Sequence, residues 1–237
     1  MKHLFFDLDR TLWDFEKNSE SALRQLFSEL ELDTMIKSFE GFHSTYKNHN
    51  AKLWNRYGKG KITKEELRTQ RFRDTLQQFQ IFNNELTEKL ADGYINISPH
   101  QTNVFPGTHA TLDTLKAEGY QLHIITNGFK EVQFTKLEKS GLIDYFDLIL
   151  CSEEVGKSKP HPEVFQFAQA ETGALPNESI MIGDDYQVDV LGASNAGWEG
   201  ILFDPNKEYR QGTHEWQINA LEQVPETIIW IKNSRIS

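Results

Sequence analysis

The sequence predicts an α/β fold in which a parallel sheet is covered by helices on both faces and interrupted by an inserted helical segment. From about residue 105 onward, short apolar runs alternate with stretches of helical periodicity. Residues 16–103, in contrast, carry helical periodicity, charge and aromatic side chains with almost no strand-like run. Short buried runs separated by helix-length segments are typical of βαβ units, whose parallel strands are covered on both faces.

Five short apolar runs are the predicted strands of a doubly wound, Rossmann-like sheet. The runs are His3–Phe6, Leu122–Thr126, Phe146–Cys151, Ile180–Gly183 and Gly200–Phe203. The helical stretches around the later strands are Gly107–Glu118, Lys130–Ser140, Pro162–Thr172 and Gln187–Ala196. Residues 1–15 and 104–237 are therefore predicted to form the α/β core domain.

Residues 16–103 are predicted to form an all-helical domain inserted after the first strand. Its predicted helices are Ser21–Leu30, Thr34–Tyr57, Thr63–Phe79 and Asn83–Asn96. The third helix has the clearest start signal, because Thr63 is followed three residues later by Glu66 in a capping-box pattern.

The bulk composition excludes several classes of protein. Hydrophobic residues make up 38% of the 237 residues, which is enough for a substantial core. The formal net charge of −10 repels nucleic acids and anionic membranes, so neither is an expected partner. The single cysteine, Cys151, cannot form an internal disulfide, and the N-terminal apolar run is too short for a signal peptide. A cytoplasmic location is expected.

Two aspartates follow the first predicted strand at its carboxyl end. Asp7 comes directly after the strand, and Asp9 two residues later. Ligands of open α/β sheets bind outside the carboxyl ends of the strands, so both side chains can reach one small volume. One carboxylate can attack phosphorus while the other transfers protons, and Mg²⁺ prefers oxygen ligands of this kind. Taken alone, the pair is equally compatible with a strand-to-loop junction whose side chains cap free amides.

Two further strand ends carry groups that suit a phosphate. Thr126 and Asn127 end the second strand just before Gly128, and a hydroxyl, an amide and a free backbone N–H can donate to phosphoryl oxygens. After the third strand, Lys157 and Lys159 offer positive charge, and Lys159 is preferred because the following proline restricts its backbone. An Asn-Gly turn and a solvated basic loop are the alternative interpretations.

The fourth predicted strand ends in acidic residues that could complete a metal site. Asp184 and Asp185 follow the strand directly, and Asp189 lies in the next predicted helix. Acidic residues at a helix N-terminus can instead serve the helix dipole alone. Four such features at successive strand ends, with complementary chemistry, favour one phosphate and magnesium site over four unrelated structural roles.

In order and spacing, these four segments resemble the haloacid dehalogenase-like (HAD) hydrolase superfamily across the whole chain. The resemblance implies that Asp7 is the nucleophile, which becomes an aspartyl phosphate, and that Asp9 is the general acid and base. It also implies that Thr126, Asn127 and Lys159 bind the phosphate.

The same resemblance implies a Mg²⁺ ion held by Asp7, by Asp184 and by the backbone carbonyl of Asp9. Asp189 is expected beside this site without binding the ion directly. Asp185 stands where the superfamily often has a small hydroxyl residue, so no role is assigned to it. The helical insertion corresponds to the small helical cap domain of the superfamily, which closes over the substrate and excludes water.

Within the superfamily, the sequence resembles the pyrimidine 5′-nucleotidases of the YjjG type. The similarity lies in Leu53–Trp54, Gly60–Thr63, Ile125–Phe129 and Ser152–Gly156. It implies a magnesium-dependent phosphatase that hydrolyses phosphate monoesters, mainly pyrimidine nucleoside 5′-monophosphates.

Other activities remain compatible with the same motifs. A phosphatase of another small metabolite, such as a sugar phosphate or phosphoglycolate, and a phosphomutase would share the core. A non-catalytic scaffold would not need the charges of Asp7, Asp9, Lys159 and Asp184. A haloacid dehalogenase is disfavoured because Asp9 suits phosphate esters and that chemistry needs no magnesium. A kinase is unsupported, because the sequence contains neither a P-loop nor a G-x-G-x-x-G motif.

Overall fold

The structure is a computed structural model that describes residues 1–235. The chain divides into two compact units. Residues 1–15 and 102–235 form the first, which we call the α/β unit, and Glu16–Gln101 form the second, which we call the helical unit.

The α/β unit is built on a six-stranded parallel sheet. Its strands are β1 (His3–Phe6), β2 (Gln121–Thr126), β3 (Leu148–Cys151), β4 (Ser179–Gly183), β5 (Glu199–Phe203) and β6 (Gln217–Ile218). The order across the sheet is β3-β2-β1-β4-β5-β6, so the strand order reverses at β1. Ligands of doubly wound sheets bind at the carboxyl ends of the strands beside such a reversal. A ligand site is therefore expected among the residues that follow β1, β2 and β4.

Helices cover both faces of this sheet, which explains why its strands are nearly continuous apolar runs. The helices are α5 (Thr108–Ala117), α6 (Lys130–Lys139), α7 (Pro162–Thr172), α8 (Leu191–Asn195) and α9 (Val224–Ser234). Leu4 and Phe6 of β1 pack into one buried cluster with residues of α5 and α9. Phe5, which points to the opposite face, packs into a second cluster with residues of α7.

The five strands predicted from the apolar runs are confirmed, and β6 and α9 were not predicted. The helix predicted at Gln187–Ala196 is only partly correct. Residues Tyr186–Val190 form a π-helical turn, and the α-helix that follows is the short α8. The turn is capped by Asp185, whose Oδ1 accepts hydrogen bonds from the backbone N–H groups of Gln187 and Val188. Single π-helical turns are frequent at functional sites.

The helical unit contains four helices around an aromatic core. They are α1 (Phe15–Glu29), α2 (Phe39–Gly58), α3 (Lys64–Gln78) and α4 (Asn84–Ile97). The predicted capping box is present, since the Thr63 N–H donates to Glu66 Oε2 at 2.7 Å and the Glu66 N–H donates to Thr63 Oγ1 at 3.1 Å. Two predicted starts were wrong. Helix α1 begins at Phe15 rather than Ser21, and α2 begins after Ser38, whose hydroxyl caps it, rather than at Thr34.

Across residues 1–235, no helix combines the length and the apolar character needed to cross a membrane.

Candidate active site

The centre of the site is Asp7, which continues the pairing of β1 by one residue. Its backbone N–H donates to the carbonyl of Ile182 in β4 at 2.9 Å, so the carboxylate emerges where both strands end. The chain then turns sharply, because the Leu8 carbonyl accepts hydrogen bonds from the N–H groups of Leu12 and Trp13 at 3.0 and 2.9 Å. Asp7 is 8% exposed, so its carboxylate lies in a largely dry environment.

Lys159, which the sequence predicts to bind the phosphate, lies against this carboxylate. Its ammonium group donates to Asp7 Oδ1 at 2.8 Å, to Asp189 Oδ1 at 2.6 Å and to the carbonyl of Ile125 at 2.7 Å. All three ammonium hydrogens therefore have partners, and the buried positive charge is shared between two carboxylates. Lys157, the alternative candidate, is exposed.

Asn127 holds the backbone of Lys159 in place. Its Oδ1 accepts hydrogen bonds from the Lys159 N–H at 2.8 Å and from the Ser152 hydroxyl at 2.7 Å, and its Nδ2 donates to the Lys159 carbonyl at 3.1 Å. The amide thus joins the loop after β2 to the loop after β3. Its expected contact with a phosphate stays a prediction, and the bracing of Lys159 is a role that the sequence did not reveal.

Thr126 ends β2 with a buried hydroxyl. Its Oγ1 accepts a hydrogen bond from the Gly128 N–H at 3.1 Å and donates to Gln133 Oε1 at 3.3 Å. Gly128 is needed here, because a Cβ atom at that position would lie 2.1 Å from Gln133 Nε2. The loop after β2 is therefore packed tightly against the start of α6.

Three aspartates lie close together beside Lys159. One carboxylate oxygen from each of Asp7, Asp184 and Asp189 lies within 4.8 Å of the others. Asp189 uses its Oδ1 for Lys159 and its Oδ2 for the backbone N–H of Asp185 at 3.1 Å. Both of its oxygens are occupied, so it orients Lys159 and the loop, whereas Asp7 and Asp184 fit direct metal binding better.

The Asp184 carboxylate accepts a hydrogen bond from the buried Thr11 hydroxyl at 3.4 Å. The strand before it ends in Gly183, where a Cβ atom would lie 2.3 Å from Asp189 Oδ2. A glycine at this strand end is therefore what allows Asp189 to approach. Asp185, to which the sequence assigned no role, caps the π-helical turn that carries Asp189.

A family model described as haloacid dehalogenase-like hydrolase matches residues 4–203, which include every residue of this site. The chain belongs to the haloacid dehalogenase-like hydrolase family.

Three curated relatives of this HAD hydrolase are phosphatases. The pyrimidine 5′-nucleotidase YjjG of Escherichia coli is 30% identical, with 95% of this chain and 96% of that protein covered. The pyrimidine 5′-nucleotidase PynA of Streptococcus pneumoniae is 32% identical, with 90% of each covered. The glyceraldehyde 3-phosphate phosphatase of Methanothermobacter thermautotrophicus is also 32% identical, with 85% of each covered.

Among solved structures, the HAD hydrolase YfnB of Bacillus subtilis bound to magnesium is similar, with a TM-score of 0.86 and 26% identity over 96% of this chain and 98% of that one. The chain therefore shares its fold with an experimentally determined HAD hydrolase.

This HAD site contains more negative charge from its carboxylates than positive charge from Lys159. Burial raises the pKa of Asp7 to about 7, although Lys159 opposes the shift. Burial, together with the charge of Asp7, raises the pKa of Asp184 well above its usual range. Burial alone would lower the pKa of the Lys159 ammonium, but Asp189 and Asp7 outweigh it and raise that pKa. A divalent cation among these oxygens would supply the missing positive charge, so the residues present fit Mg²⁺.

Sequence reasoning missed two residues that bind Asp9. Lys136 Nζ donates to Asp9 Oδ1 at 2.5 Å, and Gln133 Nε2 donates to Asp9 Oδ2 at 3.0 Å. Both lie on α6, on the side of the helix that is buried. The available signal was the presence of a lysine and a glutamine one turn apart on the apolar side of a predicted helix, where polar side chains need partners.

Proposed function

We propose that this protein is a magnesium-dependent phosphatase that hydrolyses nucleoside 5′-monophosphates, mainly pyrimidine ones, through an aspartyl phosphate formed on Asp7. The observation that carries the proposal is the placement of Asp7 at the strand-order reversal, with Lys159 on one side at 2.8 Å and Asp184 close by. A buried carboxylate beside a fixed ammonium group and a metal-binding acid is suited to attack an anionic phosphate.

Mg²⁺ would be held by Asp7 and Asp184 and by the backbone carbonyl of Asp9, and when bound it would offset the negative charge of the phosphate. Lys159 contributes the second positive charge and keeps Asp7 from repelling the substrate. The backbone N–H groups of the loop after β2 are proposed donors to the phosphoryl oxygens, and the Thr126 hydroxyl is a further one when its proton turns from Gln133 Oε1 to the substrate.

The reaction takes place in two displacements. In the first, an Asp7 oxygen bonds to phosphorus while the bond from phosphorus to the leaving oxygen breaks, and Asp9 gives that oxygen its proton. In the second, Asp9 takes a proton from a water molecule whose oxygen bonds to phosphorus. The bond from phosphorus to Asp7 then breaks, which releases inorganic phosphate and restores the Asp7 carboxylate.

The nucleotide preference is supported by the two pyrimidine 5′-nucleotidases among the relatives. A phosphatase of a sugar phosphate is the second candidate, because a glyceraldehyde 3-phosphate phosphatase covers the chain at similar identity. The cytoplasmic location expected from the single cysteine would give the protein access to either substrate pool.

A screen for phosphate release tests the proposal. Purified protein is incubated with nucleoside 5′-monophosphates, sugar phosphates and phosphoglycolate, with Mg²⁺ and then with excess chelator. We expect free inorganic phosphate from UMP, CMP and dTMP in the presence of Mg²⁺ and none with chelator. An isomeric phosphate without free phosphate would indicate a phosphomutase. Faster release from sugar phosphates than from any nucleotide would favour the second candidate.

A further inference from the structure

Asp9 is held from one side by the helix α6. Gln133 and Lys136 lie one turn apart on this helix, and their side chains bind the two different oxygens of the Asp9 carboxylate at 3.0 and 2.5 Å. Both residues are nearly inaccessible, with exposed fractions of 1% and 3%. Within residues 1–235, Asp9 is the sole carboxylate that pairs with Lys136. The position of the Asp9 carboxylate is thus determined by two side chains that do not themselves reach Asp7.

The two side chains are in turn fixed by their own surroundings. The Lys136 ammonium lies 4.2 Å from the centre of the Trp13 ring, which can stabilise a cation through its π face. Gln133 Oε1 accepts the hydrogen bond from the Thr126 hydroxyl at 3.3 Å. The absence of a side chain at Gly128 leaves the space that Gln133 occupies. A continuous chain of hydrogen bonds therefore runs from the end of β2 to Asp9.

A purely structural role explains this arrangement poorly. An ion pair that is largely removed from water, as this one is, contributes little net stability, because removing the charges from water costs about as much as their attraction returns. An apolar side chain on α6 would pack against Trp13 without that cost. The ion pair also draws Asp9 toward α6, whereas Asp7, Asp184 and Asp189 gather around a common point. The arrangement separates the carboxylate that transfers protons from those that attack or bind metal.

We propose that Lys136 and Gln133 are positioning residues that hold the Asp9 carboxyl group for proton transfer to the leaving oxygen. The inference rests on the proposed function, in which Asp9 is the acid and base. Each Asp9 oxygen uses one lone pair for α6 and keeps another for the proton. When the bond from phosphorus to the leaving oxygen breaks, the proton passes from Asp9 to that oxygen, and Lys136 keeps all of its own protons.

A series of leaving groups tests this inference. The leaving oxygen of a nucleoside 5′-monophosphate needs a proton as it departs, whereas 2,4-dinitrophenolate leaves readily without one. In Lys136→Met, we expect kcat/KM for UMP to fall on the order of 10²-fold, the lower end of what general acid catalysis contributes. The value for 2,4-dinitrophenyl phosphate should change less than about threefold, because no proton is required there. Equal losses for both substrates, or no loss for UMP, would overturn the inference.

Matched variants make the outcome decisive. Lys139→Met removes an exposed lysine from the same helix and should leave both substrates unaffected. Lys136→Arg keeps the positive charge and should recover part of the activity on UMP. Gln133→Leu keeps the ion pair and should show the same selective loss to a smaller extent. If Lys136→Met does not fold, Gln133→Leu decides the matter by the same two readouts.

Asp9→Asn separates failure of this inference from failure of the proposed function. Its formation of the aspartyl phosphate from UMP should be lost, whereas release of 2,4-dinitrophenolate in the first turnover should be largely retained. The first turnover is the readout because the second displacement needs Asp9 as a base with either substrate. If Asp9→Asn shows no such difference, Asp9 is not the acid, and the proposed mechanism is wrong. If Asp9→Asn shows the difference and the Lys136 and Gln133 variants do not, the inference alone is wrong.

Discussion

The two units of the chain bury charge in different ways. In the α/β unit, Lys159 is buried between two carboxylates, those of Asp7 and Asp189. In Glu16–Gln101, which the structure describes in full, Arg71 is the one buried charged side chain, with 7% of its surface exposed. It pairs with no carboxylate there. In the α/β unit, buried charged side chains thus include both cations and the carboxylates beside them, whereas Glu16–Gln101 buries one cation alone.

The surroundings of Arg71 are aromatic. Its guanidinium carbon lies 4.8 Å from the centre of the Tyr94 ring and 5.3 Å from that of Phe72. Its guanidinium group donates to Asn50 Oδ1 and to the backbone carbonyl of Arg68, both at 3.3 Å. Removing a cation should accordingly have different consequences in the two units. In the α/β unit it leaves buried carboxylates without a partner, and in the helical unit it leaves none.

The largest expected effect is on activity and comes from Asp7→Asn. An amide cannot form the aspartyl phosphate, so kcat should fall on the order of 10⁴-fold or more. The substitution also removes one of the crowded buried carboxylates, so the thermal unfolding temperature should stay the same or rise. Metal-dependent phosphate release at the wild-type rate would show that Asp7 is not the nucleophile. A clear fall in the unfolding temperature would show that the Asp7 carboxylate stabilises the fold, which contradicts this expectation.

The next effect is on stability and comes from Lys159→Met. Methionine fills a similar volume but leaves Asp7 and Asp189 buried without their cation, which should cost about 3–5 kcal/mol of the free energy of unfolding. Urea unfolding with excess chelator measures the loss. In Lys159→Met combined with Asp189→Asn, part of that free energy should return. A loss equal to the sum of the two single variants would show that the two side chains do not interact.

A pH-dependent effect comes from the buried histidine pair of the sheet. His123 is 2% exposed, and its Nε2 lies 3.2 Å from His3 Nδ1. Burial, together with the neighbouring His3, lowers the pKa of His123 from 6.5 to about 4. Above pH 6.5 both the folded and the unfolded states hold the ring neutral. Between about pH 6.5 and 4 the unfolded chain takes up the proton and the folded protein does not, so stability falls as the pH falls.

The loss approaches about 3 kcal/mol near pH 4, since each pKa unit corresponds to about 1.4 kcal/mol. In His123→Phe, the free energy of unfolding should therefore decline less between pH 6.5 and 4 than in the wild type. The difference between the two proteins isolates His123 from carboxylates such as Asp7, whose raised pKa acts in the opposite direction. Parallel pH curves for the two proteins would show that His123 titrates normally in the fold.

Residues at the carboxyl end of a strand were the easiest to place from sequence. Asp7, Thr126 and Asp184 each lie at the end of an apolar run, and parallel strands bring such ends to the same edge. Lys159 was preferred to Lys157 because a proline follows it, and the structure places Lys157 at the surface and Lys159 beside Asp7.

Contacts between distant segments could not be read from sequence. Asn127 binds the backbone of a residue 32 positions later, and Gln133 binds Asp9, 124 positions earlier. Nothing local distinguishes these side chains from ordinary polar residues. Lys136 faces Asp9 because of how closely α6 packs against the sheet and how the helix is rotated about its axis. Both depend on tertiary packing, which sequence periodicity alone does not determine.

The smallest expected effect is on stability and comes from Arg71→Met, which tests the difference between the two units directly. In Arg71→Met the aromatic rings of Tyr94 and Phe72 keep an apolar neighbour, and Asn50 Oδ1 loses one donor. The loss of the cation–π contacts should cost about 1–2 kcal/mol, well below the cost of Lys159→Met. Urea unfolding of the two variants under one set of conditions measures the ratio. Equal losses would mean that burying a cation among rings stabilises this fold as much as burying it among carboxylates, and the contrast between the units would disappear.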